Sequence, residues 1–185
     1  IKECYELGLI ALIPIYKGME GDCTKILTGN LKEYHIYKNI RTVVNILAKY
    51  KLIDLNQSRK YYGDKLGCKN LIPIPLDKET ILTPVKLRKT MCKGDSTFGY
   101  INVKYIKNIE ERDGVGVINL KGDIKLETLQ KTSTVEKHIR NGNLVESIYR
   151  NRNIKSSRQY TELATKEDIE ALKSDIIYFI KESLY

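Results

Sequence analysis

Apolar and polar positions along the chain change period several times, and each change marks an element. Leu9 to Tyr16 is almost continuously apolar and reads as a mostly buried strand. The turn Lys17-Gly18-Met19-Glu20-Gly21-Asp22 sends the chain back through Thr24 to Leu27, and Gly29-Asn30 turns it again into Tyr34 to Tyr37, a small meander. From Asn39, a good N-cap, the period lengthens: Val43, Ile46, Leu47 and Tyr50 fall at i, i+3, i+4 and i+7, an amphipathic helix. A second helix is expected from about Asn56 to Leu66, with Leu55, Tyr62 and Leu66 on one side and Gly67 as its stop.

Ile72, Ile74 and Leu76 then alternate with Pro73 and Pro75, which donate no ladder hydrogen bond, so this stretch suits a sheet edge or an extended polyproline-like strand. Ile81 to Val85 follows. Lys86 to Thr97 is polar and basic with no periodic apolar face, a loop. Phe98 to Lys107 returns to strand with Ile101, Val103 and Tyr105 facing one way, and Glu110-Glu111-Arg112-Asp113 reads as a solvated acidic loop. Val115 to Leu120 and Ile124 to Leu129, joined across Lys121-Gly122-Asp123, form the clearest hairpin. Thr134 to Arg140 and Leu144 to Arg152 look helical, interrupted at Asn141-Gly142-Asn143, and Asn153 to Gln159 is an unpatterned linker. A last amphipathic helix opens at Thr165 and carries a stripe of Ile169, Leu172, Ile176, Ile180 and Leu184, a candidate oligomerisation face. The fold class expected is α+β: a small antiparallel sheet of meander and hairpins with packed helices. The basic domain would end near residue 158, and the linker and C-terminal helix would occupy 159–185.

At 185 residues with 42% hydrophobic content the chain is long enough to bury a real core. No apolar run reaches the roughly 18–20 residues of a membrane span, and no secretory leader is visible, so a cytoplasmic protein with no membrane partner is expected. Cys4, Cys23, Cys68 and Cys92 are too widely spaced for paired metal ligation and are expected as reduced thiols, mostly core fillers.

Charge changes the picture more. The net charge is +9, and it is concentrated. Lys38 to Lys93 holds thirteen basic residues against four acids, and Lys131 to Arg158 holds seven against two, while the remaining stretches are slightly acidic. Such patches are the footprint of a polyanion binder, because each Lys or Arg set against a phosphate releases condensed counterions. The candidate contacts are Arg59, Lys60, Lys65 and Lys69 in the first half, Lys86, Arg88, Lys89 and Lys93 in the basic loop, and Arg140, Arg150 and Arg152 beyond it. Arg88-Lys89 and the Arg150–Arg152 pair have no acid beside them in sequence. In Ser58-Arg59-Lys60-Tyr61-Tyr62-Gly63, cations alternate with rings that could stack or wedge.

Catalytic signatures are few. Gly94-Asp95-Ser96-Thr97-Phe98-Gly99 has the glycine spacing of a phosphate loop, but Tyr100-Ile101 replaces the Lys and hydroxyl that such a loop needs. His138, between Lys137 and Arg140, reads as an exposed helix histidine. No nucleophile pairs with a base, so neither enzyme activity, nor a cofactor, nor a metal is expected.

The order of these features resembles the ComK family of competence transcription factors. The resemblance rests on Cys23-Thr24-Lys25-Ile26, on Arg59-Lys60-Tyr61-Tyr62-Gly63 with Gly67 and Lys69, and on Thr83-Pro84 leading to Gly99-Tyr100-Ile101. It continues through the hairpin around Gly122, the helix from Ser133 through Arg140 to Leu144, and the apolar C-terminal helix. The loop before Gly99-Tyr100 is longer here than in the family. The resemblance implies a transcriptional activator that binds paired A·T-rich boxes of double-stranded DNA mainly from the minor groove. It also implies that the activator bends the DNA as a homodimer or higher oligomer and has RNA polymerase as a further partner. The residues alone leave open a second reading, an RNA-binding or ribosome-associated module.

Overall fold

The N-terminal meander is one half of a six-stranded antiparallel sheet. The computed structural model describes residues 1–18 and 21–161 together with Glu170 and Lys173. Residues 1–147 form one compact unit and 148–185 a second. Strands β1 (Leu9–Tyr16), β2 (Asp22–Thr28) and β3 (Glu33–Ile36) form the first meander, and β4 (Ile74–Asp77), β5 (Thr80–Lys86) and β6 (Phe98–Asn102) form another, in the order β3-β2-β1-β6-β5-β4. The seam between them is short: β1 meets β6 only at Ala11–Ile101 and Leu12–Tyr100. Gly99 lets the backbones close there, since a Cβ on it would lie 2.7 Å from the Leu12 carbonyl oxygen. As the two prolines required, β4 is an edge strand.

One face of this sheet is covered by α1 (Lys2–Glu6) and α2 (Ile40–Tyr50). Leu9, Leu12, Ile26, Leu76 and Leu82 meet Ile40, Val43, Val44 and Leu47 in a closed apolar cluster. Each such aliphatic side chain contributes about 1.5–3 kcal/mol on burial. The cap expected at Asn39 is present, its side chain accepting from the Thr42 amide at 2.9 Å. The short helix α1 gave no periodic signal. It is held by Tyr5, whose hydroxyl donates to Asp77 while Lys51 Nζ lies 3.2 Å from that carboxylate. Burial and the bond to Asp77 push the Tyr5 phenol well above its ordinary range. Burial alone would raise Asp77, but the donors Tyr5, the Glu79 amide and Lys51 outweigh it and hold the carboxyl low. This pair fastens α1 to the β4–β5 turn.

The opposite face carries a second sheet, β7 (Ile106–Arg112), β8 (Val115–Leu120) and β9 (Lys125–Glu127), and the first turns of α4 (Thr132–Thr161). Ile10, Ala11, Val85 and Ile101 meet Ile118, Leu120 and Val135 there. The architecture is α+β, with two antiparallel sheets and four α-helices among the described residues.

Several expectations are corrected. The strand expected over 98–107 ends at Asn102, and a 3-10 turn over Val103–Tyr105 moves the chain from one sheet to the other. Glu110-Glu111-Arg112 is not a loop but the end of β7, closed by Asp113-Gly114, both with positive φ, the left-handed pair that a two-residue hairpin turn requires. Helix α4 does not break at Asn141-Gly142-Asn143. A Cβ on Gly142 would lie 2.5 Å from Val103 Cγ1 and 3.2 Å from Thr83 Cβ, so glycine lets the helix settle on β5. Nor is 153–159 a linker: with no Gly or Pro to stop it, the helix propagates to Thr161. The proposed oligomerisation stripe, Ile169, Leu172, Ile176, Ile180 and Leu184, lies outside the described residues.

Candidate nucleic-acid interface

The sequence offered three groups of cations, and the structure treats them differently. The first lies on α3 (Leu55–Leu66), whose N-terminus is capped by Asp54 Oδ1, accepting from the Asn56 and Gln57 amides at 2.8 and 3.1 Å. Its C-terminus closes on Gly67 in the left-handed region, with the Cys68 amide reaching back to the Gly63 carbonyl at 3.0 Å. A Cβ at Gly63 would meet the Cys68 carbonyl oxygen at 2.8 Å, which explains the glycine after the paired tyrosines. Only Tyr62 and Gly63 are buried along the twelve residues. Leu55, Ser58 and Leu66 are half-buried, Leu55 against the core, while the other seven residues face water, so the helix is held by few side chains and leaves a broad surface open.

That surface is cationic. Arg59, Lys60 and Lys65 on α3 and Lys69 just beyond it are exposed. Among the described residues none of the four has a carboxylate within ion-pair distance. Tyr61 stands beside them, 38% exposed, its ring edge-on to the buried Tyr62 ring at 5.0 Å between centroids. The interleaving seen in sequence therefore sorts by depth: Tyr62 anchors the helix, while Arg59, Lys60 and Tyr61 lie at the surface.

The basic loop is the second group, and here one of its four cations proves to be turned inward. Arg88 is 8% exposed. Its guanidinium donates to the Ile15 carbonyl at 2.9 Å and to the Ser96 carbonyl at 2.8 and 3.1 Å, pairs with Asp22 at 2.8 Å and stacks 4.1 Å from the Tyr16 ring centroid. Far from lacking an acid, it uses nearly its whole fork of donors inside the protein. Arg88 cannot reach DNA; it builds the loop. Tyr16 completes the knot, its hydroxyl donating to Asp95 Oδ2 at 2.6 Å and accepting from the Met91 amide at 2.8 Å. Partial burial and the bond to Asp95 push the Tyr16 phenol upward. Lys89 and Lys93 remain exposed on this braced loop, Lys86 is half-buried at its root, and Met91 between the lysines is 79% exposed.

Arg140 is exposed on the first half of α4, while Arg150 and Arg152 are exposed on turns that belong to the second unit. His138 is corrected: it is buried, not exposed, with Nε2 3.2 Å from Gln130 Nε2 and its backbone carbonyl accepting from Thr83 Oγ1 at 2.8 Å. Burial, aided by neighbouring Lys137, holds its imidazole below the ordinary value.

Two residues near the loop were not singled out by sequence. Arg41, exposed on the first turn of α2, lines a polar recess of about 160 Å³ with Asp22, Asn39, Gly94, Asp95 and Ser96. Met91 is one of only two methionines in the chain and stands between Lys89 and Lys93, which was the available signal. Among the described residues the cysteines form no disulfide, with Cys4 and Cys23 in the core, Cys68 half-buried and Cys92 exposed. Among the described residues no cluster of His, Cys, Asp and Glu is placed to hold a metal, and no helix is long and apolar enough to cross a membrane. Compared with family models, with curated proteins and with solved structures, the chain matches none.

Proposed function

We propose that the protein is a cytoplasmic, non-enzymatic transcription regulator that binds A·T-rich double-stranded DNA, as the resemblance to ComK implies. In that reading it acts as an activator, engages paired boxes mainly from the minor groove as a homo-oligomer, and bends the duplex. The observation that carries the DNA-binding part is α3: a capped helix anchored by Tyr62 whose open surface presents Arg59, Lys60, Lys65 and the following Lys69 with no carboxylate in ion-pair distance among the described residues. Cations held on a rigid element and left unneutralised by the protein's own carboxylates are available to phosphate, and each one engaged releases counterions. The charge segregation supports the same partner.

The test is competition of A·T-rich duplex, G·C-rich duplex and structured RNA against one labelled A·T-rich probe across a salt series. A·T-rich duplex should compete best. Replacing Arg59 and Lys60 together by Ala should reduce the slope of log K against log salt by about 1.8, at roughly 0.9 per phosphate contact, with an unchanged thermal midpoint. Equal competition by the two duplexes removes the A·T preference, a preference for RNA favours the ribosome-associated class, and an unchanged slope shows α3 to be a merely solvated face.

A further inference from the structure

Loop 87–97 is irregular in sequence yet fixed at three points. Its base is closed by the Leu87 and Arg88 amides, which donate to the Thr97 carbonyl at 3.0 and 3.2 Å. Its inner side is held by Arg88 on Asp22 and on two backbone carbonyls, and its outer half by the Tyr16 hydroxyl between the Met91 amide and Asp95. The backbone of Met91 is therefore anchored while its side chain stands in water. A single exposed apolar side chain is ordinary on a protein surface. This one differs in having a fixed backbone and an exposed lysine two residues away on either side, with no ion pair to either lysine among the described residues.

We propose that Met91 is an apolar wedge that enters a base step of duplex DNA, with Lys89 and Lys93 set on the phosphates flanking that step. The proposal rests on the DNA-binding reading above and adds to it a second contact, distinct from α3. Wedges of this kind, methionine among them, unstack a step from the minor groove, and flanking cations offset that cost with phosphate contacts. A thioether chain suits the role because it is unbranched, slender and polarizable, so it adapts to the stacked faces on either side. Pre-bracing matters equally. A loop already ordered by Arg88 and Tyr16 gives up little further conformational freedom when it binds. The two lysines select a polyanion over a neutral apolar partner.

The experiment places 2-aminopurine at successive steps of an A·T-rich duplex, where unstacking raises its fluorescence, and compares wild type with Met91→Ala, Met91→Leu and the Lys89→Ala/Lys93→Ala pair. Wild type should brighten one step. Met91→Ala should lose that signal and bind about tenfold more weakly with an unchanged salt slope, while Met91→Leu retains both signal and affinity. The lysine pair should lower the salt slope by about 1.8. Because Met91 is exposed, the thermal midpoint of Met91→Ala should match wild type and so exclude misfolding as the cause. A Met91→Ala protein that brightens the same step and binds equally well overturns the wedge while leaving the DNA reading intact. A wild-type protein that brightens no step, or prefers anionic vesicles to duplex, also overturns it, and failure to bind duplex at all removes both readings.

Discussion

Helix α3 and loop 87–97 carry similar densities of positive charge in sequence, yet they use it in opposite ways. On α3 the backbone satisfies its own hydrogen bonds, the ends are closed by Asp54 and Gly67, and the cations are left over. The loop has no such ladder. Its polar backbone groups need outside partners, and Arg88 supplies donors to the Ile15 and Ser96 carbonyls while Asp22 neutralises it. Arg59 on the helix stays at the surface with no carboxylate in ion-pair distance among the described residues, whereas Arg88 in the loop is drawn into building that segment. Nearness of an acid in sequence decided nothing, since Asp22 lies 66 residues from Arg88.

The contrast breaks most sharply at the arginines themselves. Arg88→Ala leaves Asp22, whose side chain is only 18% exposed, without its guanidinium partner and removes the donors that Arg88 gives to two carbonyls, and should cost about 3 kcal/mol in urea unfolding. Arg59→Ala should change stability by no more than about 0.5 kcal/mol. Arg88→Lys should recover only part of the loss, because an ammonium lacks the planar fork that reaches Asp22, Ile15 and Ser96 together. Similar losses at Arg59 and Arg88 would erase the distinction between an offered cation and a structural one.

Where local chemistry decides the backbone, the sequence was legible. The strand Leu9–Tyr16, the Asn39 cap, α3 with its Gly67 stop and the proline-marked edge β4 all follow from period, capping and missing donors. What failed depends on distant contacts. Gly142 looks like a helix break until Val103 and Thr83 are seen pressed against it. His138 looks exposed until Gln130 and Thr83 are brought to it from other segments. The acids before Asp113-Gly114 suggest a solvated loop ahead of a turn, but they end β7, and the turn is that of the hairpin itself. Of the candidate site, α3 was legible because a helix can be placed from sequence. Loop 87–97 was half legible: its charge could be counted, but which charge it spends internally could not.

A second difference between the regions lies at the loop's root. Gln130 Oε1 accepts from the Lys86 amide at 2.8 Å while its amide nitrogen faces His138 Nε2 at 3.2 Å, so the imidazole nitrogen must act as the acceptor and the ring is neutral. Its folded-state value lies below that of the unfolded chain. Above the unfolded value, about 6.5, both states are neutral and folding is unaffected; below it the unfolded chain takes up a proton that the folded protein resists. Stability should therefore fall on acidification from about pH 6.5, with a slope of at most ~1.4 kcal/mol per pH unit from this group, until pH passes the folded value. His138→Gln should flatten that segment of the stability curve, whereas α3 holds no histidine and Arg59→Ala should leave it intact. An identical curve in His138→Gln would show that the Gln130–His138 contact does not govern the loop's root.

The smallest effect concerns how α3 is presented. Helices α2 and α3 end in the same motif: the Leu52 amide reaches the Lys49 carbonyl and Ile53 reaches Ala48, just as Gly67 reaches Asp64 and Cys68 reaches Gly63. The left-handed residue of the second motif is glycine, but that of the first is Leu52, at φ 56° and 94% exposed. A leucine there carries a steric cost of roughly 1–2 kcal/mol and buries almost nothing in return. Glycine would remove that cost but would give the unfolded chain extra freedom worth about 0.5–1 kcal/mol. Leu52→Gly should therefore stabilise the protein by about 0.5–1 kcal/mol in urea unfolding. If α3 is a preformed surface, relaxing its entrance should leave the affinity and salt slope for A·T-rich duplex as they were. A gain in stability accompanied by a loss of duplex affinity would instead place Leu52 itself against the partner, and the open surface of α3 would extend back into the turn before it.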